Sequence, residues 1–156
     1  MPGPKITPTP TIEKTAEVTF SPTSLDMAAS TSGSVEVMVT TGKNPITGAQ
    51  VQIVYDPTVI TNVKLTAPTT ASLMGAPGSY TNLFTENTPG SLTYAVAINP
   101  TSPEVNGTGS IGTISFTVLK TKPETQFTFG KSTAVTSTAS MNSILNTTTP
   151  LVIKLQ

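Results

Sequence analysis

Hydrophobic and polar residues alternate along most of this chain. Val35, Val37 and Val39 fall on one face of an extended segment, and Val51 and Ile53 repeat the pattern further on. A period of two residues indicates a β-strand with one face on a core. No segment shows the i, i+3, i+4 spacing of a core-facing helix over three turns. The pattern therefore predicts an all-β protein.

Several segments with this strand-like character are separated by turns rich in Gly, Pro and Asn. The nine predicted strands are residues 17–20, 34–40, 48–55, 59–65, 80–86, 91–98, 112–120, 126–129 and 151–155. Two packed antiparallel sheets are the economical arrangement for so many strands, so we predict a nine-stranded antiparallel β-sandwich.

The alternation also predicts details of this sandwich. Two predicted strands flank the turn Asn-Thr-Pro-Gly at residues 87–90 and should form a hairpin, whereas residues 67–79 should form a long loop. The fourth strand is expected to alternate without interruption through Val59, Thr61, Val63 and Leu65. Eight side chains are predicted to be largely buried: Val37, Val51, Ile53, Tyr55, Tyr94, Val96, Phe116 and Phe129.

The first 15 residues differ from the rest. Pro2, Pro4, Pro8 and Pro10 lack the backbone N–H groups that a strand ladder needs, and they favour extended polyproline conformation. We therefore expect a Pro/Thr-rich linker or tail over residues 1–15 and one folded domain over residues 16–156. The tail could instead serve as an assembly strand that adds to the sheet edge of a neighbour.

Charge and hydropathy exclude two classes of partner. Only 10% of the residues are charged and the formal net charge is zero. Electrostatic attraction to nucleic acid or to anionic lipid is therefore excluded as the basis of function. No apolar run approaches the roughly 20 residues that span a bilayer, so no membrane insertion is expected.

The residue inventory argues against catalysis. His and Cys are absent, which removes the usual general base and every thiolate metal ligand. The carboxylates are scattered, and no pair is placed for general acid–base work. They are Glu13, Glu17, Asp26, Glu36, Asp56, Glu86, Glu104 and Glu124. We predict no enzyme activity, no metal site and no cofactor.

The strands and their motifs follow one another in an order that is typical of a known protein family. An alternating strand ends in Tyr-Asp-Pro in "GAQVQIVYDPTVITNVKL", a second strand follows in "GSLTYAVAIN", and a third in "GSIGTISFTVLK". A segment of small residues precedes the closing strand in "STAVTSTASMNSILNTTTPLVIKL". Over residues 17–156 the chain resembles the cohesin domains of bacterial and archaeal extracellular proteins. From the residues alone, Tyr55 should face the core and Asp56-Pro57 should form a turn.

The resemblance implies a jelly-roll sandwich that binds a dockerin module of another protein on one sheet face, without catalysis. Carried over to this sequence, that partner-binding face comprises Gly48, Gln50, Gln52, Ala95, Ala97 and Asn99. Better-known members often carry an acidic residue or Asn where Gly48 and Gln50 stand. Here the face is small, neutral and rich in amides, and we expect it to be flat and exposed.

Two other functions remain open from the sequence. Neutral, Thr-rich sandwiches also serve as structural or self-assembling surface and adhesin subunits, in which the partner is another copy of the chain. A carbohydrate-binding module is a further alternative, although Trp is absent and only Tyr80 is placed to expose its ring to a polysaccharide. For all three functions we expect a secreted or cell-surface protein whose targeting segment lies outside this sequence.

Overall fold

A computed structural model describes residues 3–5, 12–69, 71–119, 122–138, 140 and 142–156 of the protein, and none of these residues is helical. Twelve strands are present in the described part of the chain. They are β1 (Ala16–Ser21), β2 (Ser24–Met27), β3 (Ser32–Thr40), β4 (Gly48–Val54), β5 (Ile60–Thr66), β6 (Tyr80–Thr88), β7 (Ser91–Ile98), β8 (Thr108–Val118), β9 (Glu124–Phe129), β10 (Ala134–Thr136), β11 (Leu145–Thr148) and β12 (Leu151–Leu155).

The strands form two sheets that pack face to face. One sheet has the order β11-β1-β3-β8-β5, and the other has the order β2-β12-β9-β4-β7-β6, with β10 pairing with β4. The predicted all-β sandwich is confirmed. The prediction of nine strands missed β2, β10 and β11, and two pairings, β1 with β11 and β2 with β12, are parallel. Strands of three or four residues are too short to show an alternation pattern.

The core lies between the sheets and is mostly aliphatic, with a small aromatic cluster. Phe127 is at its centre, with ring centroids 4.9 Å from Phe116, 5.7 Å from Tyr55 and 6.0 Å from Phe20. Seven of the eight side chains predicted to be largely buried are in the core. The exception is Phe129, which is only half-buried and stacks on Phe20 at 4.5 Å.

The prediction that β5 alternates without interruption is wrong. Asn62 adopts a positive φ of 53°, and the pairing with β8 shifts register between Thr61 and Lys64. Asn tolerates this left-handed conformation better than most residues. The adjacent residues Val59, in the turn before β5, and Ile60 are both buried, which also departs from alternation.

The predicted hairpin is confirmed. β6 and β7 pair in antiparallel fashion up to Thr88 and Ser91, and the two-residue turn between them contains Gly90 at a φ of 90°. β6 is an edge strand. A register shift between Asn82 and Phe84 makes Leu83 an extra residue relative to β7.

The predicted loop at residues 67–79 covers part of the outer face of the first sheet. Leu73 and Met74 are buried, and Leu73 N donates to Ser110 O at 2.9 Å. Beneath the loop lies Glu36, which is only 8% exposed. Its carboxylate accepts hydrogen bonds from the hydroxyl of Thr113 at 2.6 Å, from the amide N–H of Thr69 at 3.3 Å, and from the hydroxyls of Ser110 and Thr69.

The segment before β1 already contacts the sandwich. Ile12 packs against the core, and the hydroxyl of Thr15 donates to Thr41 O at 2.9 Å. The remainder of the predicted tail, apart from residues 3–5, lies outside the described residues.

Candidate protein-binding face

The predicted face lies on the outer surface of the second sheet, where β4 and β7 run side by side. Gly48 is paired with Ala97, and Gln50 is paired with Ala95. These side chains point away from the core because Val51, Tyr94 and their alternating neighbours fill it. The structure therefore brings the predicted residues of the two strands together, and Asn99 follows directly after β7.

The two glutamines do not project freely. Gln50 Nε2 donates to Ser132 O at 2.8 Å, and Ser132 N donates to Gln52 Oε1 at 3.1 Å. The backbone of Gln52 also accepts from Gly130 N at 2.8 Å and donates to the hydroxyl of Thr133 at 3.1 Å. Both amides therefore fasten the loop between β9 and β10 against β4.

Gly48 is buried, so the expectation of exposure at this position was wrong. β10 pairs with β4 on the side opposite β7 and places Thr136 beside Gly48. A Cβ atom at residue 48 would lie 2.7 Å from Val96 O and 3.2 Å from Thr136 Oγ1. The small residue is required by close packing of the protein's own strands.

The remaining positions are also partly covered. Ala95 is 6% exposed, which again contradicts the expected exposure, while Ala97 and Asn99 are half-buried. Asn99 Oδ1 accepts from the hydroxyl of Thr81 at 2.7 Å, and its Nδ2 donates to Gly78 O. The three amides of the face are thus used to hold neighbouring loops and strands, which sequence alternation cannot reveal.

The largest apolar side chains at this face were missed by the sequence analysis. Leu83 is 63% exposed and Phe84 is 43% exposed. Phe84 is registered opposite Ala95, so its side chain lies on the same outer face. The adjacent apolar pair in an otherwise polar strand is visible in the sequence, but the bulge that orients it is not.

The face carries few charged side chains. Glu86, opposite Thr93 on the edge strand, and Lys131, next to Ser132 in the β9–β10 loop, are both exposed charges near its margins. Between them lie amide, hydroxyl and small apolar side chains, together with the exposed Val54, Leu83 and Phe84. Such a surface can contact another protein without the desolvation penalty of a buried charge.

The Tyr-Asp-Pro segment after β4 is structural, as predicted. Tyr55 is buried, and the Asp56 carboxylate accepts from Thr58 N at 2.9 Å and from the Thr58 hydroxyl at 2.6 Å. These bonds, together with the ammonium group of Lys122 at 3.0 Å, lower the pKa of Asp56 to about 2. Asp56 thereby fixes the turn into β5.

A family model for the cohesin domain matches residues 18–154. The chain belongs to the cohesin family. Cohesin domains are non-catalytic protein-interaction modules, so the predicted family, fold and class of function are confirmed. No curated protein sequence matches the chain.

Solved cohesin structures share this fold at low sequence identity. The third cohesin of ScaC from Acetivibrio cellulolyticus, solved in complex with the ScaB dockerin, is 18% identical, with a TM-score of 0.68 over 90% of this chain and 99% of that chain. CaCohA2 from Clostridium acetobutylicum is 17% identical, with a TM-score of 0.70 over 92% of each chain. A non-cellulosomal cohesin from the archaeon Archaeoglobus fulgidus is 12% identical, with a TM-score of 0.66 over 90% of this chain and 91% of that chain.

Within this cohesin domain, the described residues contain no group of three or more carboxylates that could hold a metal ion. None of the described segments is a helix long and apolar enough to cross a membrane. Glu36 is the only carboxylate among the described residues that is buried. Its oxygens already accept hydrogen bonds from three neighbouring residues.

Proposed function

We propose that this cohesin domain binds a dockerin-like module of another protein on the outer face of β9, β4, β7 and β6, and that it acts in a secreted or cell-surface protein. Residues 16–156 form the binding domain in this proposal, and residues 1–15 form the linker that precedes it. In this proposal Gln50, Gln52, Ala97 and Asn99 line the site, whereas the buried Gly48 and Ala95 only shape it. Leu83 and Phe84 add its apolar margin.

The observation that carries the proposal is the exposed pair Leu83 and Phe84, with Phe84 in register with Ala95 and Gln50 across the sheet. Contiguous exposed apolar side chains commonly mark protein–protein interaction sites. Aromatic side chains are enriched in protein–protein interfaces relative to the rest of the surface.

Related structures support a dockerin-like partner. The ScaC cohesin was crystallised with the ScaB dockerin, and a cohesin of OlpA from Clostridium thermocellum was crystallised with a dockerin named Doc918. The Archaeoglobus fulgidus relative is described as non-cellulosomal. The proposed partner is therefore defined by its dockerin-like module and not by a cellulose-degrading assembly.

Binding of the purified domain to dockerin modules tests the proposal, with isothermal titration calorimetry as the measurement. The Leu83→Ser, Phe84→Ser double variant should weaken binding at least tenfold, because it removes the apolar margin. Ser34→Arg is the matched control, since Ser34 is exposed on the outer face of the other sheet. The control should bind like the wild type.

Other results of this experiment would contradict the proposed binding face. Equal loss in the double variant and in Ser34→Arg would point to a general folding defect, which circular dichroism would identify. Unchanged affinity in the double variant would exclude β6 from the interface. Concentration-dependent dimerisation in sedimentation, abolished by the double variant, would instead support the self-assembling alternative.

A further inference from the structure

A groove of about 460 Å³ runs along one open side of the sandwich, between β5 and β6. These are the edge strands of the two sheets. Its floor includes Val96 and Ile111, both nearly fully buried, and Tyr80 contributes to its wall. The groove is separate from the outer face of the second sheet, because Phe84 and its paired residue Ala95 lie on the other side of β6 and β7.

The side of β6 that faces the groove has the wrong polarity for a core. Asn82, Thr85 and Asn87 occupy the positions paired with core residues of β7, where apolar side chains would be expected. Those core partners are Val96, Tyr94 and Leu92, respectively. The strand therefore presents amides and a hydroxyl inward and Phe84 outward, which leaves the groove open and polar above an apolar floor.

Part of this hydrogen-bonding capacity is unused. Asn87 Nδ2 donates to Val63 O at 2.7 Å, which leaves its Oδ1 without a partner among the described residues. Among the described residues, the side chain of Asn82 bonds only with the Thr85 hydroxyl, which lies 3.1 Å from its Nδ2 and 3.3 Å from its Oδ1. Tyr80 Oη and Lys64 Nζ make no hydrogen bond to any described residue, and Lys64 is the one charged side chain among the described residues that line the groove.

Strand addition by a peptide is disfavoured at both edges. On β5, the carbonyl oxygen of Val63 already accepts a hydrogen bond from Asn87. The positive φ of Asn62 also breaks the regular extended backbone that an added strand would need. On β6, the bulge at Leu83 interrupts the ladder. Bulges and capped carbonyls are the devices by which natural sheets prevent edge pairing. A ligand of this groove must therefore be recognised by side chains.

We propose that the groove between β5 and β6 binds a neutral saccharide, independently of any protein partner. Amide and hydroxyl groups can donate to and accept from sugar hydroxyls, and the apolar floor can pack against the C–H face of a sugar ring. Apart from Lys64 at its margin, the lining is uncharged, so amides and hydroxyls supply most of the hydrogen-bonding groups that a neutral ligand would meet. The groove volume falls within the range of small-ligand sites, which begins at about 300 Å³.

Titration of the ¹⁵N-labelled domain with neutral tetrasaccharides tests the inference. Chains of glucose, xylose, mannose and N-acetylglucosamine serve as probes, and tetragalacturonate serves as the acidic comparison. At least one neutral probe should shift the amide signals of β5 and β6 in a saturable manner. Tetragalacturonate, which the Lys64 ammonium would attract, separates charge attraction from recognition by amides and hydroxyls. Tighter binding of tetragalacturonate than of every neutral probe would overturn the assignment of a neutral ligand.

Three variants locate the site. Asn82→Leu with Thr85→Val fills the groove with apolar groups and should weaken binding about tenfold or more, since it removes two hydrogen-bonding side chains. Asn82→Asp keeps the shape, removes the donor and adds a charge, so it should weaken binding without filling the groove. Thr128→Val changes an exposed residue on the outer face of β9 and should leave binding unchanged.

Absence of saturable shifts with every neutral probe would overturn the inference. So would shifts confined to other strands, or equal affinity in the wild type and both groove variants. Because Leu83→Ser, Phe84→Ser alters the outer face and not the groove, it should retain saccharide binding. The two proposals can therefore fail separately.

Discussion

The hydroxyl of Tyr94 lies against Gly112, so closely that a Cβ atom at residue 112 would be 3.0 Å from the tyrosine oxygen. Tyr94 extends from the second sheet across the core and ends in the space left by this glycine. The hydroxyl is buried and has no hydrogen-bond partner among the described residues. Burial, with a smaller contribution from the negative charge of Glu36, strongly raises the pKa of Tyr94.

The unpaired hydroxyl predicts that Tyr94→Phe stabilises the domain by about 1 kcal/mol, because a buried polar group without a partner opposes folding. Urea denaturation at pH 7 measures the free energy of unfolding. Tyr55→Phe is the control: Tyr55 Oη donates to Thr88 O at 3.4 Å, so its removal should be neutral or slightly destabilising. A clear loss of stability in Tyr94→Phe would show that the hydroxyl is satisfied, for instance by water.

The buried, hydrogen-bonded carboxylate of Glu36 should make the stability of the folded domain depend on pH. Burial acts to raise the pKa of Glu36, but hydrogen bonds from Ser110, Thr113 and Thr69 together outweigh it, and the pKa is lowered from 4.5. A carboxyl whose pKa is lower in the folded state stabilises that state above the unfolded pKa. This contribution is lost as pH falls through the folded pKa. The stability of the domain should therefore decline below about pH 4.5.

Glu36→Gln tests this assignment. At pH 7 it should cost about 1–3 kcal/mol, because hydroxyl and amide donors lose their charged acceptor. The decline of stability between pH 5 and pH 3 should also become shallower than in the wild type. Glu17→Gln, at an exposed position of β1, is the control and should change neither quantity. Parallel pH profiles for the wild type and Glu36→Gln would assign the acid sensitivity to other carboxylates.

Two phenylalanines should differ in their contribution to stability. Phe116→Ala should cost roughly 3–5 kcal/mol, because Phe116 is fully buried and packs edge-on against Phe127. Phe129→Ala should cost less, since its ring is half-buried and stacks on Phe20 at the margin of the core. Chemical denaturation of both variants gives the comparison, and equal losses would contradict this description of the core.

The outer face predicts the effect of inserted charges on partner binding. Gln50→Arg with Ala97→Arg should weaken binding to a dockerin module by about 2–5 kcal/mol, because the interface would bury unpaired charges. Wild-type binding should depend little on salt, since the face is neutral. Calorimetry at 50 and 500 mM NaCl measures both effects.

Gln50→Ala is the necessary control for this double variant. It removes the hydrogen bond to Ser132 O without adding charge, so it reports how much the fastened β9–β10 loop contributes. Ser34→Arg adds a charge on the other sheet and should have no effect. Unaltered affinity in the double variant would exclude this face as the site.

Local alternation was sufficient to predict the strands whose faces divide cleanly between core and surface. Val35, Val37 and Val39 are buried as their spacing predicts. Alternation failed where the backbone departs from regular pairing. The positive φ of Asn62 and the extra residue Leu83 both shift the side chains that follow them.

The candidate site was predicted in its location but not in its exposure. The pairing of Gln50 with Ala95 follows from strand parity and hairpin order. The bonds that Ser132 accepts from Gln50 and donates to Gln52 span 80 or more residues. No local pattern encodes such contacts, so a strand face that seems free in the sequence is partly covered in the fold.

The parallel pairings of β1 with β11 and of β2 with β12 impose an order on biosynthesis. Among the described pairings, β2 has no strand partner other than β12, the last strand of the domain. A nascent chain can therefore form the β6–β7 hairpin early, but β2 cannot join its sheet until residues 151–155 have emerged. The domain thus completes its fold only after its full length has left the ribosome or a secretion channel.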